Sequence, residues 1–508
     1  MSAEMLFAIK DGEEEPSIDT DKLSYEIFSI LESKFLFGYD EDKLWVPKPQ
    51  RALKLPAATS ADVDPNAGVK NQRGKVCILS IDGGGGVGMR GILPGKALSY
   101  LEQCLCYKSG NPDARISDYV DIVAGTGVGG LFAAMLFSTH DGSRPIFRAE
   151  DTWRFLAEKG RRFYKRKPSS SSSASSKPSF LRCIVRGGCG KGVTEMTEAM
   201  EKEMKEAFGD SMTLRDTVKP VLIPCYDLRT SAPLVFSRAD ALESESYNFR
   251  MWEVCRATWA EPGRFEPMEM LSVNGSTVCV GVDGGLAMSN PTAVAITHIL
   301  HNKQEFPFVR GVEDLIVLSL GCGTTAAAAL PETSRGRLDY HKIRKWGTKE
   351  WVRPIARIAS DGAADLVDHA VALAFGQCGS AYYIRVQANG PSMSRCGADV
   401  DSDPSSANVK ALEEMAEEML KQKNVESVLF GGRRVSEQTN MEMLDFIAGE
   451  LVLEHQRRNC RIAPTVAFKQ AAAKPKGRGF LKQSFLVHSA VKRYCQLLWF
   501  MFGSLEYL

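Results

Sequence analysis

From Lys75 onward, short apolar runs bounded by glycine, proline or polar clusters alternate with longer segments whose apolar positions recur every three or four residues. The short runs predict strands and the periodic segments predict helices. Strands are predicted from Val76, over residues 119–124 and 220–224, from Val278 up to Asp283, and from Leu315 to Leu320. Helices are predicted to start near Gly130, to cover 364–375 and 441–455, and to run through Leu412, Met415, Met419 and Leu420. This alternation implies an α/β fold, a mostly parallel central sheet with helices on both faces. Such sheets build their sites in loops beyond the strands' carboxyl ends, here at Tyr226-Asp-Leu-Arg229 and Gly321-Cys-Gly323.

The flanks read differently. Leu23, Ile27, Phe28, Ile30, Leu31 and Phe35 fit an amphipathic helix over 19–37, which either docks on the main domain or offers a partner surface. Residues 47–73, rich in Pro, Ala, Ser and Asp, read as a linker. The division is therefore 1–74 as an extension, 75–459 as the main domain and 460–508 as a tail. In the tail, a Lys474-Pro-Lys-Gly-Arg478 hinge precedes the aromatic run 494–502, either a core-docking helix or a membrane-surface anchor; docking is favoured, since exposed aromatic runs aggregate. Residues 159–191 contain ten Lys or Arg and no Asp or Glu, interleaved with Phe163, Tyr164, Phe180 and Leu181, and 169–176 is nearly pure serine. That insertion is either a solvated loop or a patch for anionic headgroups, with the serines open to phosphorylation.

Bulk properties narrow the field. A chain of 508 residues, 44% hydrophobic, buries one large core or two ordinary ones, and a net charge of +1 gives no global pull toward nucleic acid or membrane. No apolar run approaches the ~20 residues of a membrane span, and the start lacks the basic and apolar regions of a signal peptide. Thirteen scattered cysteines fit reduced thiols in a cytoplasmic protein. Neither Cys104/Cys106 nor Cys183/Cys189 has a matching pair at zinc spacing, and no acidic loop of EF-hand type occurs, so no metal or other cofactor is expected.

Three glycine-rich stretches carry candidate chemistry. In the first, a strand meets Gly125-Thr126-Gly127-Val128-Gly129-Gly130 and then a helix of small residues. This is the setting of a nucleophile elbow, G-x-S-x-G, with Gly127 where serine would stand; taken alone it also fits a plain tight turn. The second is Asp82-Gly83-Gly84-Gly85-Gly86-Val87-Gly88-Met89-Arg90-Gly91, and the third is Asp283-Gly284-Gly285, leading to Asn290-Pro291.

In this order the three stretches resemble the patatin-like phospholipase family: a D-G-G-G-x-R-G oxyanion loop, a G-x-S-x-G elbow and a D-G-G/A aspartate. The stretches Trp252–Phe265, Leu318–Thr324 and Ala363–Asp368 add to the resemblance, which covers Lys75 to Arg457. It is closest to the plant patatin-related group in which the elbow serine is itself glycine. The resemblance implies a three-layer patatin fold and a lipid acyl hydrolase acting on phospholipids or galactolipids; from the charge pattern no nucleic acid partner is expected, and peripheral membrane contact through 159–191 is one of the two readings of that insertion. The resemblance makes Asp283 the general base and places oxyanion amides among Gly84, Gly85, Gly86, Gly88 and Gly91. Arg90 would fix the loop or a headgroup, or lie at the surface; Asp283 is also open to a reading as a turn or cap aspartate. The loop from Asp82 to Arg90 is longer than the family's. Asp361-Gly362-Ala363 repeats the D-G-A string without a preceding strand, so Asp361 is expected to cap a helix. Thr126 should diverge from the elbow, and no histidine lies in any motif, which excludes a Ser-His-Asp triad. Two functions follow: hydrolysis, by water activated at Asp283 or by a nucleophile the motifs do not show, or a pseudoenzyme that binds acyl lipid without turnover.

Overall fold

A computed structural model describes residues 74–83, 86–164, 188–323, 340–389, 399–428, 432–459 and 465–468. The helix over 19–37, the linker 47–73 and the tail run 494–502 lie outside the described residues. The strands and helices that frame the candidate site are β1 (Val76–Ile81), α1 (Ile92–Ser109), β2 (Ile122–Gly125), α2 (Val128–Phe137), α3 (Gly188–Phe208), β3 (Val221–Asp227), β4 (Ala232–Ser237) and α4 (Met251–Thr258). They continue as β5 (Met268–Leu271), β6 (Val278–Val282), α5 (Thr292–His301), β7 (Leu315–Leu320), α6 (Thr348–Gln377) and β8 (Tyr383–Val386). A further helix α7 (Ser406–Lys421), a hairpin β9 (Lys423–Val428) and β10 (Gly432–Thr439), and α8 (Asn440–Asn459) complete the described chain.

Strands β3, β2, β1, β7 and β8 lie side by side in parallel, and β5, β6 and β4 join antiparallel, giving an eight-stranded, mostly parallel sheet. The period-two alternation of buried strands divides their side chains between two cores. Cys77, Leu79 and Ile81 of β1 join Ile92, Leu101, Phe132, Leu412 and Leu444 on one face. Val76 and Ile78 join Ile296, Ile299, Val371 and Phe375 on the other. The expected layered α/β architecture is therefore present.

Three expected boundaries shift. Tyr119 closes a one-turn helix, Ile116–Tyr119, so β2 starts only at Ile122. Strand β3 does not stop at Pro224 but runs on to Asp227. Its partner changes along its length, from β2 at Val221 and Leu222 to β6 at Tyr226 and Asp227. Proline, which has no N–H, is tolerated where one ladder ends before the next begins. Asp361 is no cap either: it lies inside α6, which starts 13 positions earlier at Thr348 and passes through Pro354.

Candidate functional site

Where β3 changes partner, the turn after β2 and the end of β6 converge beside Pro224. Gly127 stands at the apex of the turn with φ 56° and ψ −123°, a region that strains any side-chain-bearing residue. The neighbouring glycines are needed for space. A Cβ on Gly125 would lie 2.1 Å from the Gly129 carbonyl oxygen, and one on Gly129 would lie 2.3 Å from that of Ile81. One on Gly83 would meet the Thr126 carbonyl at 2.1 Å, so the loop after β1 is seated against the elbow backbone to backbone.

Asp283 follows β6, fully buried. Its N–H donates to the Ala260 carbonyl at 3.1 Å, and its Oδ1 accepts the Gly285 N–H at 2.8 Å, a hydrogen bond within its own turn. Gly284 lies over β3, where a Cβ would come 2.2 Å from the Pro224 carbonyl. Thr258, at the end of α4 and fully buried, ties these pieces together. Its hydroxyl accepts the Gly127 N–H at 2.9 Å and donates to the Pro224 carbonyl at 2.6 Å, while its own carbonyl accepts the Gly284 N–H at 3.1 Å. No spacing rule singles out Thr258 in the sequence. Thr126 does diverge: its hydroxyl donates to the Met288 carbonyl at 2.7 Å.

Of the anion-loop residues, Gly84 and Gly85 lie outside the described residues. Gly86 has φ 92°, a left-handed turn position that suits glycine. The next residues turn toward Asp401, a partner the sequence reading missed because it lies some 310 positions away. The Gly88 N–H donates to Asp401 Oδ1 at 3.1 Å, the Arg90 N–H to the same oxygen at 3.4 Å, and the Met89 N–H to the Asp401 carbonyl at 3.2 Å. The Arg90 guanidinium is buried, with Nε 2.9 Å from both carboxylate oxygens and Nη1 donating to the Gly323 carbonyl at 2.8 Å. Arg90 is thus a loop clamp and neither a surface residue nor a headgroup ligand. The Gly88 amide is spent on Asp401 and that of Gly91 on the Gly88 carbonyl, at 3.0 Å, so neither is presented to an oxyanion as expected.

A second buried network braces the loop's start. Asp82 accepts from Arg385 Nη2 at 2.6 Å, and Arg385 also donates to Ser319 Oγ at 2.7 Å. Burial raises the Asp82 pKa, opposed by the adjacent guanidinium. A cavity of about 40 Å³ adjoins this network, lined by Asp82, Gly83, Ser289, Cys322, Asp361 and Arg385 among others. Neither Gly127 nor Asp283 lines it.

The basic insertion is only partly described. Lys159 and Arg162 bond Glu203 at 3.0 and 2.6 Å, and Arg161 donates to the Pro404 carbonyl. Phe163 and Tyr164, expected to interleave with headgroup-binding charges, are buried with Trp259 and Phe265. This part of 159–191 is therefore structural, and 165–187 lies outside the described residues.

Comparison with known proteins agrees with this architecture. The patatin-like phospholipase profile matches residues 79–296. Patatin-like protein 6 of Arabidopsis thaliana is 60% identical over 90% of this chain and 89% of its own length. The chain belongs to the patatin-like phospholipase family. Patatin-like protein 7 of Arabidopsis thaliana is 59% identical over 90% of this chain and 86% of its own length. The probable inactive patatin-like protein 9 of the same plant is 36% identical over 86% and 93%. Family membership supports lipid acyl hydrolysis broadly, with lipids as substrates. Among the described residues, no helix is long and apolar enough to cross a membrane.

Proposed function

We propose that this patatin-like protein hydrolyses fatty acyl esters of phospholipids or galactolipids at the elbow after β2, with water in place of the serine hydroxyl. The observation that carries this is the apex conformation of Gly127, held beside Asp283 by the shared hydroxyl and carbonyl of Thr258. The Asp283 carboxylate takes a proton from water as the water oxygen bonds to the ester carbonyl carbon. The oxyanion of the tetrahedral intermediate is received by loop amides. With the amides of Gly88, Met89 and Arg90 bonded to Asp401, that task falls to Gly84, Gly85 and Gly86 by their place in the sequence. On collapse the ester C–O bond breaks, and the proton passes from Asp283 to the departing alkoxide, leaving a fatty acid and a lyso-lipid.

The competing reading, lipid binding without turnover, is favoured by the bare Gly127 position and by the name of the 36% identical relative. Acyl release from a phospholipid and galactolipid panel separates the two. Turnover by the parent protein, lost in Asp283→Asn, supports hydrolysis by water. No release from the parent, with activity gained in Gly127→Ser, replaces the proposal with the binding one.

A further inference from the structure

Helix α6 buries one side, including Ser360, Val371 and Phe375, against the domain. On its outer side Ile355, Ile358, Leu366 and Leu373 are 58, 61, 53 and 49% exposed, and Gly362 and Ala370 are exposed between them. At 3.6 residues per turn these six positions share one band along roughly 27 Å of helix. Among the described side chains no charge is exposed from Ile355 to Gln377; Asp361 and Asp365 line the inner cavity, and Asp368 is buried. Exposed apolar bands of this extent mark interaction sites.

The charge lies at one end of the band. Between Tyr340 and Ser360 the sequence holds Lys342, Arg344, Lys345, Lys349, Arg353 and Arg357 against a single acid, Glu350. Lys342, Arg344 and Lys345 are exposed, and the part-exposed rings of Trp346 and Trp351 pack edge to face with centroids 5.1 Å apart. An uncharged helical band, a tryptophan pair and a basic collar together match an anionic bilayer surface: apolar side chains enter the acyl boundary, indoles sit at headgroup level and cations meet phosphate. A nucleic acid would use the collar and leave the band bare. A second copy packed with its helix parallel would bring two basic collars together, and one packed antiparallel would set each collar against the uncharged far end of the other band.

We propose that this face, from the one-turn helix Tyr340–Ile343 through Leu373, seats the protein on anionic membranes. The face is close to the catalytic end of the sheet. Ser289, just after Asp283, donates to the Ser360 carbonyl at 2.7 Å, and Asn290 to that of Ala364 at 3.4 Å. Docking therefore brings the Asp283 region within about one helix diameter, ~10 Å, of the headgroups. This deepens the lipid reading above, yet it is tested by binding alone, so its failure is distinct from a failure to hydrolyse.

The test is flotation of the full chain with phosphatidylcholine vesicles and with equimolar phosphatidylcholine–phosphatidylserine vesicles. Two variants are compared with the parent: Lys342→Glu/Arg344→Glu/Lys345→Glu, and Ile358→Ser/Leu366→Ser. All the substituted side chains are exposed, and circular dichroism checks the fold. Lys410→Glu on α7, whose side chain is 79% exposed, serves as a remote control. Expected are binding to the phosphatidylserine vesicles only, a loss of affinity of about tenfold or more in each variant, and parental binding by the control. Parental binding by either variant overturns the proposal. So does an absence of vesicle binding together with a concentration-dependent dimer that Ile358→Ser/Leu366→Ser dissolves.

Discussion

At the residue scale, Thr258 and Asp401 do work for which the sequence gives no local sign. Thr258 satisfies a buried N–H of the elbow and a buried carbonyl of β3 with one hydroxyl. Thr258→Val keeps its shape but leaves both groups unpaired; a loss of about 2 kcal/mol is expected by denaturant unfolding, together with reduced acyl release. Asp401→Ala leaves the buried Arg90 without its carboxylate and frees two loop amides, those of Gly88 and Arg90, while the Met89 N–H keeps the backbone carbonyl of residue 401. It should cost about 3 kcal/mol, read as a lowered thermal midpoint, while Asp401→Asn recovers part by keeping an acceptor for the amides. Gly129→Ala drives a Cβ into the carbonyls of Ile81 and Asp82, which belong to backbone that cannot swing aside, and is expected to destabilise by on the order of 3 kcal/mol. The glycines were legible because close backbone approach demands them in any such turn. Asp401 was not, because nothing near residue 401 in sequence shows that it folds onto a loop at residue 88.

At the element scale, what was legible followed from burial. The strand Leu315–Leu320 stands where its apolar run predicted, because every residue in it is buried. The misreadings share a cause: a local signal was overruled by structure outside the few residues that carry it. Pro224 reads as a strand end until the change of partner is seen, Asp361 reads as a cap until α6 is followed back through Pro354, and Phe163 and Tyr164 read as interfacial until Trp259 covers them. Helix α5 carries a pH-dependent weakness. Burial holds the His298 pKa down at about 4. Unfolded, the ring takes up its proton near the ordinary 6.5, so the stability present above that value falls as pH drops from 6.5 toward 4 and levels off below. A decline of roughly 2 kcal/mol over that window is expected, less than full burial would give because part of the ring reaches the surface. His298→Phe should flatten the unfolding profile in that window.

At the scale of the whole molecule, the described fold is tied together by arginines drawn from its C-terminal half. Arg385 of β8 braces Asp82, and Arg458 of α8 grips Asp121 with two hydrogen bonds of 2.6 Å at the start of β2. Asp121 is fully buried and also accepts the Cys77 N–H at 2.8 Å. Truncating Arg458 to Met should therefore cost about 3 kcal/mol, measurable as a shift of the urea midpoint, because a buried carboxylate loses its counter-charge. The sheet order carries one more consequence. Strand β1 runs in register with β7 from Val76 opposite Leu315 to Ile81 opposite Leu320, whereas the family profile ends at residue 296. A transcript terminated there would encode all three glycine motifs and still leave the middle strand of the sheet as a bare hydrophobic edge, six residues long and open to any passing strand. For this gene a premature stop beyond the signature motifs is expected to produce an aggregating polypeptide and not a smaller folded domain, and motif content alone would misjudge such an allele.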